Sequence, residues 1–165
     1  MTVSIELLHP RVAEAIRQHG VKAEVLECDP NLADTAAFCQ HYKFAPEHTC
    51  NAIVVAGKSN PVKYACCVIL ATCKLDVNKT VSNLLEVKRC SFATGEQTVE
   101  TTEMQIGGVT PIGIDNMPVY LDSAVMDNET VLLGGGNRAT KLIIRPSELT
   151  KLSNVQIVKG LGLPR

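Results

Sequence analysis

The chain has 165 residues, 45% of them hydrophobic and 20% charged, with 16 Lys+Arg against 17 Asp+Glu. That length suffices for one domain with its own apolar core. The near-neutral balance excludes a protein that grips duplex nucleic acid chiefly by neutralising phosphates, a mode that needs a basic excess.

Seven cysteines (Cys28, Cys39, Cys50, Cys66, Cys67, Cys73, Cys90) are odd in number, spread through apolar segments and lack any CxxC spacing, so reduced, buried thiols are expected. The residues from Met1 to Pro10 lack the basic start and unbroken apolar stretch of a signal peptide. The longest apolar run, Tyr64 to Ala71, is too short to span a bilayer. A cytoplasmic location without membrane association is expected.

In chain order, His9 to His19 carries Pro10 in its first turn, places Val12, Ala15 and Ile16 on one face and stops at Gly20, which predicts a short amphipathic helix. Val21 to Cys28 alternates apolar and polar residues and ends at Asp29-Pro30-Asn31, a strand followed by a turn. Asp34 opens a second helix running to about His41. Asn51 to Ala56 and Tyr64 to Thr72 flank Gly57-Lys58-Ser59-Asn60-Pro61 and predict a hairpin whose strands are buried on both faces.

Asp76 to Leu85 places Val77, Val81, Leu84 and Leu85 at helical spacing. A short strand near Lys88 to Phe92 and a helical Thr94 to Glu103 follow. Val119 to Leu121, Glu129 to Leu133 and Lys141 to Ile144 are further short strands, Pro146-Ser147-Glu148-Leu149 starts a helix, and the tail from Gly160 is expected to be loose. Short strands among few helices predict an α+β fold, a mixed, barrel-like sheet with flanking helices, in a single domain over 1–165. A doubly wound nucleotide-binding sheet is disfavoured.

The stretch Gly107-Gly108-Val109-Thr110-Pro111-Ile112-Gly113 is the most informative. Two adjacent glycines let the backbone turn sharply and aim successive N–H groups at one point, a nest for a carbonyl oxygen or oxyanion. Pro111 fixes its own φ and biases Thr110 to extended geometry, which preorganises the loop and brings a hydroxyl to the same point. A tight turn between strands accounts for the same residues. Gly134-Gly135-Gly136-Asn137-Arg138 is a second glycine-rich turn whose arginine can face a phosphate or carboxylate. It fits neither a Walker A nor a GxGxxG pattern, and a flexible hairpin turn with a solvated charge is the plainer reading.

His41 and His48 flank Cys39 and Cys50 without zinc-site spacing, so no metal is expected, and no cofactor motif is present. Cys50 and His48 share a strand face without a third group to complete a nucleophilic constellation. Lys58 and Lys63 bracket the hairpin loop and can form a basic lip with Lys43, Lys88 or Arg89, or can simply serve solubility.

In this order the features resemble the family that contains YbaK and the editing domain inserted in bacterial-type prolyl-tRNA synthetases. Three segments carry the resemblance: Tyr64 to Ala71 as the buried strand, Ile106 to Gly113 as the family's Gly-Gly-Val/Ile-Ser/Thr-Pro-x-Gly loop, and Gly135-Gly136-Asn137-Arg138 as its second turn. The resemblance implies a mixed β-barrel with flanking helices and a trans-acting hydrolase of mischarged aminoacyl-tRNA, typically alanine or cysteine on proline tRNA. Its partner is then the acceptor end of that tRNA, with a synthetase as a further one.

On that reading the amides of Gly107, Gly108 and Val109 hold the carbonyl or oxyanion, and Thr110 and Asn51 orient the acyl group. Pro111, Gly113, Gly135, Gly136, Arg138, Lys58 and Lys63 shape or line the substrate site. The chain departs from the family in one place: Asn51-Ala52-Ile53 stands where a lysine-led triplet is usual. That departure leaves a second reading open, a non-catalytic module that binds tRNA ends, a small aminoacyl ligand or a synthetase.

Overall fold

A computed structural model describes residues 4–165. Helix α1 (Pro10–His19) begins with proline at its first turn, where the missing N–H costs nothing. The His9 ring accepts from the Arg11 N–H at 3.1 Å, and α1 buries Val12, Ala13, Ala15 and Ile16. After β1 (Ala23–Glu27), Asp34 precedes α2 (Thr35–Tyr42). The hairpin is β2 (Cys50–Gly57) and β3 (Lys63–Leu70), paired antiparallel from Cys50↔Leu70 to Gly57↔Lys63.

β4 (Cys73–Leu75), α3 (Ser82–Leu85), β5 (Cys90–Phe92) and α4 (Gly95–Thr102) follow. A capping box formed by Thr94 and Gln97 starts α4. The remaining elements are β6 (Val119–Asp122), β7 (Val131–Gly134), β8 (Thr140–Ile144), α5 (Pro146–Leu149), β9 (Val155–Val158) and β10 (Gly162–Pro164).

The main sheet has the order β5-β2-β3-β6-β9, antiparallel through β5, β2 and β3 and parallel through β3, β6 and β9. An antiparallel sheet β1-β8-β7 faces it. Period-two alternation sorts the side chains of β3: Cys66 and Val68 enter the core shared with α1 and the second sheet, whereas Ala65, Cys67 and Ile69 pack under α3, Val81 and Leu161. The far side of the second sheet is covered by α2, where Phe38 meets Leu26, Cys28, Ala33 and Leu132. The α+β class and mixed sheet are as expected. The strands do not close into a barrel, and the two sheets meet at the isolated Thr49–Leu132 bridge.

Two expectations are corrected. Asp76 to Leu85 is not one α-helix: Val77–Val81 is a π turn, with the Val81 N–H donating to Asp76 O at 3.2 Å, and only Ser82–Leu85 is α-helical. The Val77 carbonyl accepts the Ser82 backbone N–H in the wider π pattern, and the Ser82 hydroxyl and the Cys90 thiol donate to the same oxygen. The tail is not loose either. β10 pairs with β4, Leu161 is fully buried, and the Asp76 N–H donates to Leu161 O at 2.9 Å.

A buried carboxylate fastens this end of the chain. Asp122, 2% exposed, sits among the backbone amides of Gly162, Ala124, Leu161 and Ser123. Burial raises its pKa and the amides draw it back down. Its Oδ2 accepts no hydrogen bond among the described residues, so the carboxylate holds those amides chiefly through charge, and Asp122→Ala removes that attraction at a cost of about 1 kcal/mol. The expected outcome is a lower Tm together with faster amide hydrogen exchange over residues 155–164, while α1 and β1 keep their protection.

Candidate functional site

The two glycine-rich turns are interlocked through their backbones. The Gly136 N–H donates to Gly108 O at 2.7 Å, the Gly108 N–H to Gln105 O at 2.9 Å, and the Gln105 N–H to Gly136 O at 3.0 Å. A Cβ on Gly108 would lie 2.2 Å from the Asn137 carbonyl oxygen, so only glycine permits this approach. Gly107 adopts φ of 90°, a left-handed conformation that turns the chain toward the start of β2. Asn137 holds the second turn, its Oδ1 accepting from the Ala139 N–H and the Thr140 hydroxyl.

Between these turns and the first half of β2 lies a cleft of about 240 Å³. Cys50 to Val54 form one wall and Gly107, Val109 and Gly134 the other, with Thr35 of α2 at one end and the exposed apolar side chains of Phe92 and Ile106 at the lip. Asn51 is oriented by its neighbour: the Thr35 hydroxyl donates to Asn51 Oδ1 at 2.6 Å, which leaves the carboxamide NH₂ for a ligand.

The second polar group is Lys141, 5% exposed, whose Nζ donates to Ala33 O at 2.6 Å and Gly107 O at 3.2 Å. Burial depresses its pKa and Arg138 adds to that, against Cys28, Asp34 and Cys39, which raise it. A lysine thus enters the cleft from β8, beside the carboxamide that β2 contributes.

Of the residues singled out from sequence, Asn51, Gly107 and Val109 line the cleft, and Gly108 lies behind it as the contact between the turns. The Gly108 amide already donates to Gln105 and is not offered to a ligand. Thr110 and Pro111 are buried behind the loop, and Gly113 packs against the Arg11 backbone. Gly135 and Gly136 abut Leu8 and His9 of the N-terminal segment, and the third glycine, Gly134, is the one that reaches the cleft. Arg138 is not a free cation: its guanidinium donates to Pro30 O, Ile106 O and the Asp34 carboxylate, tying the start of α2 to the glycine turn.

Lys58 and Lys63 lie at the tip of the hairpin, where the Lys58 N–H meets Arg89 O and the Lys63 ammonium meets Leu85 O. The cleft takes only the first five residues of β2, and at about 3.3 Å per residue Lys58 is roughly 13 Å beyond Val54. Lys141 was not selected from sequence as a site residue, and Gly134 only as the first residue of the second glycine-rich turn. The available signal was a single charge inside the apolar strand Thr140-Lys141-Leu142-Ile143-Ile144 directly after the glycine turn.

The thiols are not poised for attack. All seven cysteines are free, six of them buried. Burial, with Asp122 adding to it, pushes the Cys50 thiol up to about 12. The His48 ring is taken by Asn128 Oδ1 at 2.7 Å. Among the described residues no group of three His, Cys, Asp or Glu side chains could hold a metal ion, and no helix is long and apolar enough to cross a membrane.

A family model described as aminoacyl-tRNA editing domain matches residues 29–152. Among solved structures, the hypothetical protein APE2540 superposes with a TM-score of 0.82 at 20% identity, covering 93% of this chain and 99% of that one. A protein proposed as a trans-editing enzyme for prolyl tRNA synthetase gives 0.76 at 24% identity, covering 92% and 97%. A protein proposed to act in signal transduction, from Marinobacter aquaeolei VT8, gives 0.65 at 12% identity, covering 94% of this chain but 31% of that longer one. At these identities the superpositions establish the fold.

Two measurements test the geometry. Gly108→Ala drives a methyl into the Asn137 backbone, and overpacking of this kind costs about 1–3 kcal/mol; a denaturant titration is expected to show that loss. Iodoacetamide at pH 7.5 is expected to leave Cys50 unmodified in the folded protein by peptide mass spectrometry, since a thiol titrating near 12 is thiolate in only about one molecule in 30,000.

Proposed function

The chain belongs to the aminoacyl-tRNA editing domain family, and from that premise we propose that it is a trans-acting deacylase that hydrolyses the ester of a mischarged aminoacyl-tRNA, alanine or cysteine on proline tRNA. The observation that carries the reading is the cleft itself: a sharply turned backbone at Gly107 to Val109 facing Asn51, with the loop carbonyl of Gly107 tied down by Lys141. One structural neighbour is proposed to act for prolyl tRNA synthetase, which makes proline tRNA the first substrate to test.

An aminoacyl ester is already activated, so a site can accelerate its hydrolysis by positioning and by donors aimed at the developing oxyanion. Here the Gly107 and Val109 amides take the carbonyl oxygen, and the Asn51 NH₂ steadies the acyl group. Water adds to the carbonyl carbon, the bond to the ribose oxygen breaks, and that oxygen leaves with a proton as the tRNA hydroxyl. No protein nucleophile is required, in keeping with the high pKa of Cys50. Selectivity comes from space: a cleft of about 240 Å³ suits a small acyl group, with the terminal nucleotide outside it. A second sieve of this kind removes what a synthetase cannot reject, given only about 1–3 kcal/mol of discrimination per methylene. The acceptor end of the tRNA is the partner proposed, and a synthetase that hands it over is a further one.

The test is ester hydrolysis by the purified protein against proline tRNA charged with alanine, cysteine, serine or proline, beside a no-enzyme control. Turnover of the alanyl or cysteinyl ester with the prolyl ester spared, lost in Gly108→Trp, is expected. Background rates across the panel overturn the proline tRNA assignment and favour a module that binds without turnover.

A further inference from the structure

We propose that Lys141 is the ligand-contacting cation of the cleft, held by two backbone carbonyls and offering its remaining N–H to the ester carbonyl oxygen of a bound aminoacyl group. This rests on the reading of the cleft as an aminoacyl-ester site and names the residue on which that site turns.

An ammonium has three donors and no acceptor. Lys141 spends one on Ala33 O and one on Gly107 O, and among the described residues no partner takes the third. The side chain lines the cleft, so the third donor opens onto the space where a ligand would sit. Its position in β8 places the side chain between the cleft and the Phe38 ring. Thr140, Leu142 and Ile144 alternate into the main core side, whereas Lys141 falls on the face under α2, with its ammonium 5.4 Å from the centre of the Phe38 ring.

The arrangement is costly for a merely structural residue. Burying a charge demands compensation, and no carboxylate pairs with Lys141 among the described residues: Asp34, the acid at that end of the cleft, is bonded to Arg138. A buried methionine would fill the same volume without that penalty. An ammonium held by two fixed carbonyls, by contrast, is preorganised and reorganises little when a ligand oxygen arrives. Cys28, Asp34, Arg138 and Cys39 are the titratable or charged groups around it, and the net effect of burial and Arg138 is to make the free ammonium readier to lose its proton. A ligand oxygen on the third donor reverses that tendency.

The test uses the full chain and a hydrolysis-resistant probe, 3′-(L-alanylamido)-3′-deoxyadenosine. With ¹³C-labelled lysine, the Lys141 Cε resonance is followed through a pH titration with and without the probe, and probe affinity is measured for wild type, Lys141→Met and Lys141→Arg. The expected result is that the probe moves the Lys141 signal and raises its titration midpoint. Lys141→Met is expected to lose about 10–150-fold in affinity, the worth of a charge-assisted hydrogen bond, with Lys141→Arg retaining part of it. If the probe binds wild type while the Lys141 signal and midpoint stay put, Lys141 is a positioning residue for Gly107 alone and the proposal is overturned, with the aminoacyl reading intact. That readout needs no variant to fold. If wild type neither binds the probe nor hydrolyses any ester of the panel, the aminoacyl reading falls and takes this proposal with it.

Discussion

The contact on which the rest of the site depends is the backbone-to-backbone approach of Gly108 to Asn137. Two loops distant in sequence are pressed together until no Cβ fits between them, and reciprocal hydrogen bonds among Gln105, Gly108 and Gly136 close the contact. This stacking does what a single glycine turn could not. It fixes the Gly107 peptide against the end of β2, so that the cleft has a rigid wall before any ligand arrives. Arg138 serves the same end: its three acceptors lie on Pro30, Asp34 and Ile106, so it ties the entry to α2 and the glycine turn to the β7–β8 connection. An arginine fork with fixed donor geometry suits that bracing role better than a lysine would.

The position of the cleft follows from the way the two sheets meet. They touch through Thr49 and Leu132, and each strand leaving that junction contributes to the site: β2 brings Asn51 two residues after Thr49, and β7 ends at Gly134 two residues after Leu132. Farther along β2, Val54 and Val55 are committed to cores on opposite faces of the sheet. The cleft therefore sits at the seam between the sheets.

Much of this was legible in the sequence. Pro10, the hairpin flanking Gly57 to Pro61, and the glycine pair at Gly107 each state a local backbone preference that the fold keeps, because propensity, pattern and packing agree there. The π turn at Val77–Val81 was not legible, since the Val77 carbonyl also gathers the Ser82 hydroxyl and, from β5, the Cys90 thiol, a tertiary contact superimposed on helical spacing. The ordered tail escaped for a similar reason: its partners are Asp122 and β4, and nothing in Gly160 to Arg165 alone announces them. At the site, both glycine-rich turns picked out from the sequence border the cleft, whereas Arg138, Lys58 and Lys63 do not line it. Arg138, Lys58 and Lys63 look available because exposure is invisible in a linear pattern, whereas Lys141 looks incidental because a strand residue reveals its face only once α2 is laid over it.

The distribution of charge and reactivity bears on the kind of chemistry this scaffold supports. Burial raises the pKa of Cys28, Cys50, Cys66 and Cys67, Arg138 is committed to bracing, and the polar groups that line the cleft are backbone amides, the Asn51 carboxamide, the Lys141 ammonium, the hydroxyls of Thr35 and Thr98, the Cys50 thiol and the Asp34 carboxylate that Arg138 holds. Such a set is dominated by donors, which suits it to stabilising negative charge on a ligand's oxygen. That composition suits the reading proposed above, in which a small activated acyl group enters at the seam between the sheets.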